Sequence, residues 1–233
     1  MKLPPTVFVV DPDPQNAAAL CGRIRKMGLA AETFADGHSL LKGLDPGRPG
    51  CVLAEMDLPD IEGVDLLHRL IESGCLLPMI FTSATADVAA IVPILRAGAV
   101  DFLPRPCDDL ALWNSLQLAI ERDNDHRGKR AFRADVAARL AELTNEERHV
   151  LHLLLENKPN RVIAARLDVS PRTVNFRRAT LLKKLGVASV IELASLLTRA
   201  EYTVGSSKSR NTSSVKIGTD FLTNAIAGRR HTS

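Results

Sequence analysis

The chain has 233 residues, 45% of them hydrophobic but only 4% aromatic, with 30 Lys and Arg against 27 Asp and Glu. That is enough for one large domain or two small ones around an aliphatic core. No apolar run approaches the ~20 residues of a membrane span, and the acids directly behind the short apolar run of MKLPPTVFVVDPDP argue against a secretory signal. The charge is divided. Residues 1–122 carry 10 Lys and Arg against 16 Asp and Glu, a balance of −6; subtraction from the totals leaves 20 against 11, or +9, for residues 123–233. An acidic half joined to a basic half fits a sensing module attached to a nucleic-acid module. Cys21, Cys51, Cys75 and Cys107 are widely spaced and form no CxxC, so they read as buried thiols of a cytoplasmic protein rather than a zinc site.

Residues 1–122 alternate short strands and helices. Thr6–Val10 is an apolar strand, after which Asp13 caps a helix that Pro14 opens and Gly28 stops near Met27. Leu29–Phe34 reads as a second strand, Ser39–Leu44 as part of a short helix and Cys51–Ala54 as a third strand. A helix runs from about Gly63 to Ser73, with Leu66, Leu67, Leu70 and Ile71 on one face. Pro78–Thr82 is a fourth strand, Val88–Ala97 a helix, Val100–Leu103 a fifth strand and Asp108–Arg122 a final helix. Five such units predict a parallel sheet with helices on both faces. Sheets of this kind place their chemistry at the carboxyl ends of the strands.

Asp123–Asp135 (DNDHRGKRAFRAD) is charged and weakly periodic, and the segment 123–136 reads as a linker, helical in part where it continues the preceding helix. An all-α domain is expected over residues 137–201. Thr144 and Glu147 fit a capping box, Asn157 suits a left-handed helix end, and Ser189 with Glu192 fits a second box after Gly186. Residues 202–233 are rich in Ser and Thr and carry Lys208, Arg210, Lys216, Arg229 and Arg230; they read as a disordered basic tail in which Asp220–Ala227 has a brief helical pattern.

The most informative stretch is NRVIAARLDVSPRTVNFRR, Asn160–Arg178. Ile163, Ala164 and Leu167 recur at helical spacing. Asp168-Val169 turns the chain, Ser170 is an N-cap residue, and Pro171 opens a second helix that runs to about Leu185. Advancing ~100° per residue puts Val174, Leu181 and Leu185 on the core side. Arg172, Asn175, Phe176, Ala179 and Lys183 fall on the opposite side, with Arg177 and Arg178 flanking it. Two helices joined by a tight turn are the unit that lays its second helix in the DNA major groove. Asn suits adenine and Arg suits guanine, Phe176 and Ala179 suit thymine methyls, and Thr173 and Lys183 suit phosphate. Phe176 has a second option, packing inward.

Over about 60 residues this pattern resembles the DNA-binding domain of LuxR/FixJ-type regulators. Arg177 stands where relatives often have His, and Phe176 where a small aliphatic is usual. The resemblance makes the last helix, Ser189–Ala200, a dimerisation surface with Val190, Leu193 and Leu197 as its stripe; the same stripe is equally suited to closing the domain's own core.

The first half resembles the receiver domain of two-component response regulators, a flavodoxin-like (βα)5 fold. The matching residues are Asp11, LPDIEG at Leu58–Gly63, Thr82, and AGAVDFLPRP at Ala97–Pro106, with Phe102 at the switch-aromatic position. The resemblance implies an Asp phosphoryl acceptor after strand three, two acids holding Mg²⁺ after strand one, and a Lys before the Pro after strand five. Counting back from Pro59, the acceptor position holds Glu55; the second acid position holds Pro12, and the Lys position holds Arg105. Glu carries its carboxylate about 1.5 Å further out than Asp, and Pro12 has no side-chain oxygen for Mg²⁺. Asp13 is near enough to substitute but is needed as a cap. Asp57 is the other candidate acceptor, at the expense of the spacing to Pro59. A Glu55–Arg105 pair is expected, placing negative charge near the usual phosphoryl site.

Together these features predict a cytoplasmic transcription regulator, not an enzyme, with no cofactor and doubtful Mg²⁺ binding. Its expected partners are double-stranded DNA, a second copy of the chain, and a histidine kinase or RNA polymerase. The altered receiver is either fixed in an active-like state or a passive dimerisation scaffold. The alternatives are a conventional phospho-activated regulator, a receiver-mediated protein-interaction module and, last, a phosphoryl-handling enzyme.

Overall fold

The computed structural model describes residues 3–84 and 88–205, which fall into two compact units dividing between Arg127 and Gly128. The first unit holds five parallel strands: β1 (Thr6–Val10), β2 (Ala30–Phe34), β3 (Gly50–Glu55), β4 (Met79–Ser83) and β5 (Asp101–Pro104). Their order is β2-β1-β3-β4-β5, so the chain reverses its direction of winding between β1 and β3. Side chains alternate across this sheet as strand geometry requires. Phe8, Val10, Val52, Ala54 and Phe81 enter one core with Leu66 and Leu70; Val7, Val9, Cys51, Leu53 and Ile80 enter the other with Leu20, Ile24, Leu112 and Leu116. The strands pack closely at their starts: a β-carbon on Gly50, whose φ is +144°, would lie 1.8 Å from the Thr6 carbonyl oxygen.

The helices of this unit are α1 (Pro14–Lys26), α2 (Gly37–Gly43), α3 (Gly63–Glu72), α4 (Val88–Ala97) and the start of α5 (Asp109–Ala141). Asp13 caps α1 by accepting from the Gln15 amide at 2.8 Å. The second helix starts earlier than its apolar residues suggest, because Asp36 forms a reciprocal capping box with Ser39. Ile71 does not join the buried face of α3; it is 46% exposed, since the stripe of Leu66, Leu67 and Leu70 already fills the contact with the sheet.

The predicted linker is helical throughout. Residues 123–136 all lie inside α5, one helix of 33 residues. Local ion pairs at i,i+4 support it, Arg127 with Asp123 at 2.7 Å and Arg139 with Asp135 at 2.8 Å. Asp123 is moreover buried and accepts the Gly50 amide at 2.9 Å, while Arg127 donates to the carbonyls of Gly47 and Arg48.

The second unit contains the end of α5 with α6 (Asn145–Leu155), α7 (Asn160–Arg166), α8 (Pro171–Leu185) and α9 (Val190–Gly205). Its core is aliphatic: Val136, Leu140, Val150, Leu151, Ile163, Val174, Leu181, Leu185, Leu193 and Leu197. Thr144 and Glu147 form the capping box, and Asn157 is left-handed with φ 56°. At Ser189 the box is modified, because Glu192 reaches back to the Ala188 amide instead of that of Ser189. The backbone of α9 runs to Gly205, past the expected start of the tail; the rest of the tail, including Asp220–Ala227, lies outside the described residues. No helix among the described residues is long and apolar enough to cross a membrane.

Candidate functional site

Two arrangements carry functional chemistry, one in each unit. In the helical unit, α7 ends at Arg166, Asp168 turns the chain with φ 50°, and the Val169 amide returns to the Ala164 carbonyl at 3.1 Å. Ser170 then caps α8, its hydroxyl accepting from the Thr173 amide at 3.1 Å, with Pro171 at the first helical position. Gly186 closes the helix with φ 70°.

This local geometry fixes which side of α8 is wet. Val174, Leu181 and Leu185 are fully buried. Arg172, Asn175, Ala179 and Lys183 are exposed, and Phe176 is 72% exposed, so its ring does not pack inward. Thr173, Arg177 and Arg178 are half-buried at the flanks. The result is a cationic helix face with one amide and one aromatic ring presented outward. The stripe on α9 faces the other way. Leu193 and Leu197 are buried in the unit's own core and Val190 packs against it, so these residues close the domain and do not form an outward stripe.

In the sheet unit, four strand ends converge beside the β1–β3 reversal, the crevice where open α/β sheets bind ligands. Glu55 ends β3 in register with Thr82 of β4, Asp11 follows β1, and Arg105 follows β5. The Arg105 guanidinium forks between the two acids: Nη1 donates to Asp11 at 3.0 Å and Nη2 donates to Glu55. Asp11 and Glu55 are 3% and 6% exposed, and Arg105 is 23% exposed. Arg105 Nε is buried without a hydrogen-bond partner, so the two terminal nitrogens make the contacts. Burial pushes the Glu55 carboxyl above its ordinary value; Arg105 and the backbone amides of Asp57 and Met56 pull against that, and the neighbouring Asp11 charge adds to it.

The remaining sequence-predicted residues fall around this cluster. Thr82 is buried, Phe102 is packed into the core, and Asp13 is exposed and engaged as the α1 cap. Asp57 is exposed two residues beyond the strand and bridges to Glu62. An open cleft of about 390 Å³ lies alongside, lined in part by Thr82, Arg105, Arg23 and Cys107.

These residues do not fit Mg²⁺. One Asp11 oxygen accepts the Asp13 amide at 2.9 Å and the other accepts Arg105. Pro12 offers no side-chain oxygen, and Glu55 is occupied by the guanidinium. Octahedral coordination needs several oxygens free to converge, and no group of three His, Cys, Asp or Glu placed to hold a metal occurs among the described residues.

Two residues escape a sequence reading. Asp123 looks like one more charge in a charged run, yet it is buried against Gly50. Asn160, at the start of α7, donates to Asn175 on α8. Neither contact has a periodic signature, because both join residues of separate elements.

Comparison with known proteins gives the same division. Residues 7–117 match the response regulator receiver domain family, and residues 141–197 match the luxR family of bacterial regulatory proteins. The transcriptional regulatory protein FixJ of Bradyrhizobium diazoefficiens is 31% identical over 194 residues, covering 83% of this chain and 95% of that protein. The response regulator TodT of Pseudomonas putida is 27% identical over 83% of this chain and 85% of its own. Among solved structures, the response regulator StyR aligns with a TM-score of 0.75 at 30% identity over 86% of this chain and all of that one. Full-length FixJ from B. japonicum aligns at 0.52, also at 30% identity, over 87% and 99%. With a five-stranded parallel receiver sheet ahead of a LuxR-type helix-turn-helix, the chain belongs to the FixJ family of two-component response regulators, which are DNA-binding transcription regulators.

Proposed function

We propose that this regulator acts without phosphorylation of its receiver, Glu55 serving as a built-in anion at the acceptor position. The observation that carries this reading is the Arg105 fork onto Asp11 and Glu55. The cation that a transferred phosphoryl group would need is already neutralised by two carboxylates, and the acids that would hold Mg²⁺ are engaged elsewhere. In-line phosphoryl transfer depends on positioning and on metal neutralisation of charge, and the pocket favours neither. Phe102 is already packed inward, so the pocket has no exposed ring left to bury.

On this reading α8 enters the major groove with Arg172, Asn175, Phe176 and Ala179 toward base edges, and Ser170, Thr173, Arg177, Arg178 and Lys183 toward the backbone. A homodimer in the cytoplasm binds two half-sites about one helical turn apart. The receiver contacts a kinase or RNA polymerase.

Incubation of the protein with a small phosphodonor and Mg²⁺ tests the reading, with duplex binding measured before and after. The expected result is no incorporation and unchanged binding. Incorporation at Asp57 or Glu55 refutes it. Glu55→Gln separates an active-like lock from a passive scaffold: reduced duplex affinity or dimerisation supports the lock, and unchanged values support the scaffold.

A further inference from the structure

The Asn175 side chain is not free to choose which end of its amide meets a base. Asn160 Nδ2 donates to Asn175 Oδ1 at 2.5 Å, joining α7 to α8. A carboxamide carries an acceptor oxygen on one side and two N–H donors on the other. With the oxygen drawn toward α7, the nitrogen is the end turned away, on a side chain that is exposed. Bidentate pairing with adenine needs both ends aligned on one base edge, oxygen to N6 and nitrogen to N7. The bond to Asn160 takes up one of the oxygen's two lone pairs and orients the amide, which disfavours that pairing.

We propose that Asn160 is a positioning residue that makes Asn175 a donor toward the groove, so that the base it meets is selected for an acceptor edge. Guanine, with N7 and O6 side by side, is favoured most strongly over cytosine, whose edge presents an N4–H₂ donor. The inference rests on the assignment of α8 as the DNA-reading helix and specifies the edge chemistry that this helix reads.

Selection of duplexes from randomised oligonucleotides tests it, using the full chain, Asn160→Ala and Asn160→Asp at one salt concentration, with thermal midpoints measured alongside. The unmodified protein is expected to enrich guanine over cytosine at one position per half-site. Asn160→Ala frees the amide to rotate and lowers that enrichment about ten-fold, with the midpoint unchanged. Asn160→Asp can only accept; it takes the Asn175 nitrogen, turns the oxygen outward and moves the preference toward cytosine or adenine. Identical preferences in all three proteins overturn the proposal. So does an equal fall in affinity for every sequence in Asn160→Ala, which marks Asn160 as a phosphate contact. If the unmodified protein selects no sequence at all, the assignment of α8 fails and takes this inference with it.

Discussion

Removing the cation from the receiver pocket leaves Asp11 and Glu55 buried together without a counter-charge. Arg105→Met keeps much of the side-chain stem and deletes the guanidinium. Breaking a buried ion pair from one side costs about 3–5 kcal/mol. Here two acids, 3% and 6% exposed, lose the same partner, which pushes the cost up. Arg105 is itself 23% exposed, so water reaches the gap and screens the acids, which brings it down. The expected loss near neutral pH is about 3–4 kcal/mol, a large part of the 5–15 kcal/mol that stabilises a typical domain. Acid recovers some of it. Two carboxylates forced together share a proton, so the folded variant binds one at a pH where the unfolded chain does not, and its stability climbs as pH falls toward the ordinary carboxylate range. Adding Glu55→Leu removes the second charge and restores about half of the loss or more. Urea unfolding followed by the fluorescence of Trp113, the chain's single tryptophan, reads the first unit. A loss below about 1 kcal/mol, or one that does not shrink on acidification to about pH 5, refutes the description of this cluster as a buried ion network.

In the helical unit, burial opposes the charge on Glu147, but Lys184 and the Thr144 amide outweigh it and hold its carboxyl below the usual range. A depressed carboxylate contributes stability above its unfolded value and loses that contribution as pH falls through its folded one. Glu147→Gln therefore costs about 1–2 kcal/mol near neutrality, and the gap from wild type closes in acid; a gap constant with pH counts against it. Glu55 behaves oppositely, since its folded value is raised: its contribution is complete below the ordinary carboxylate range and drains away as pH rises. Relative to wild type, Glu55→Gln thus gains ground on going from acid to neutral pH, and calorimetric midpoints across that range measure it. Phe176→Ala leaves folding stability within about 0.5 kcal/mol, as a side chain 72% exposed should, while relaxing base preference in duplex selection; a destabilised protein with unchanged preference contradicts the outward placement. The Cys51 thiol is pushed up to about 12 by burial, so alkylation of the folded protein proceeds at half-buried Cys107 and reaches Cys51 only on unfolding, as peptide mapping of the modified protein will show.

The elements were readable where local chemistry and periodicity agree. Ser170-Pro171 and Gly186 mark both ends of α8, and a rotation of ~100° per residue separates Val174 from Arg172 and Asn175 without tertiary information. Strand positions came from apolar runs and needed only a residue of adjustment at their ends. The segment 123–136 was legible as helical only in part because apolar periodicity is a signal of burial, whereas this stretch is held by backbone bonding continued from its neighbours and by pairs such as Arg127 with Asp123. Ile71 misled for the converse reason: it is apolar and close to the right face, but three leucines suffice to fill the contact. The pocket's residues could be counted off from Pro59 and Pro106. The sharing of Arg105 between two acids, and the link from Asn160 to Asn175, depend on where separate elements meet, and spacing along the chain does not encode that.

A phosphoryl group is a visitor: one enzyme attaches it, water or another enzyme removes it, and its lifetime sets how long the message lasts. On the proposed reading, the anion seated on Arg105 is part of the polypeptide and has no lifetime of its own. No phosphatase can clear it, and the message ends only when the molecule itself is degraded or diluted. Such a regulator is tuned by how many copies the cell makes, which shifts the timescale of its control from that of chemistry on a side chain to that of protein turnover.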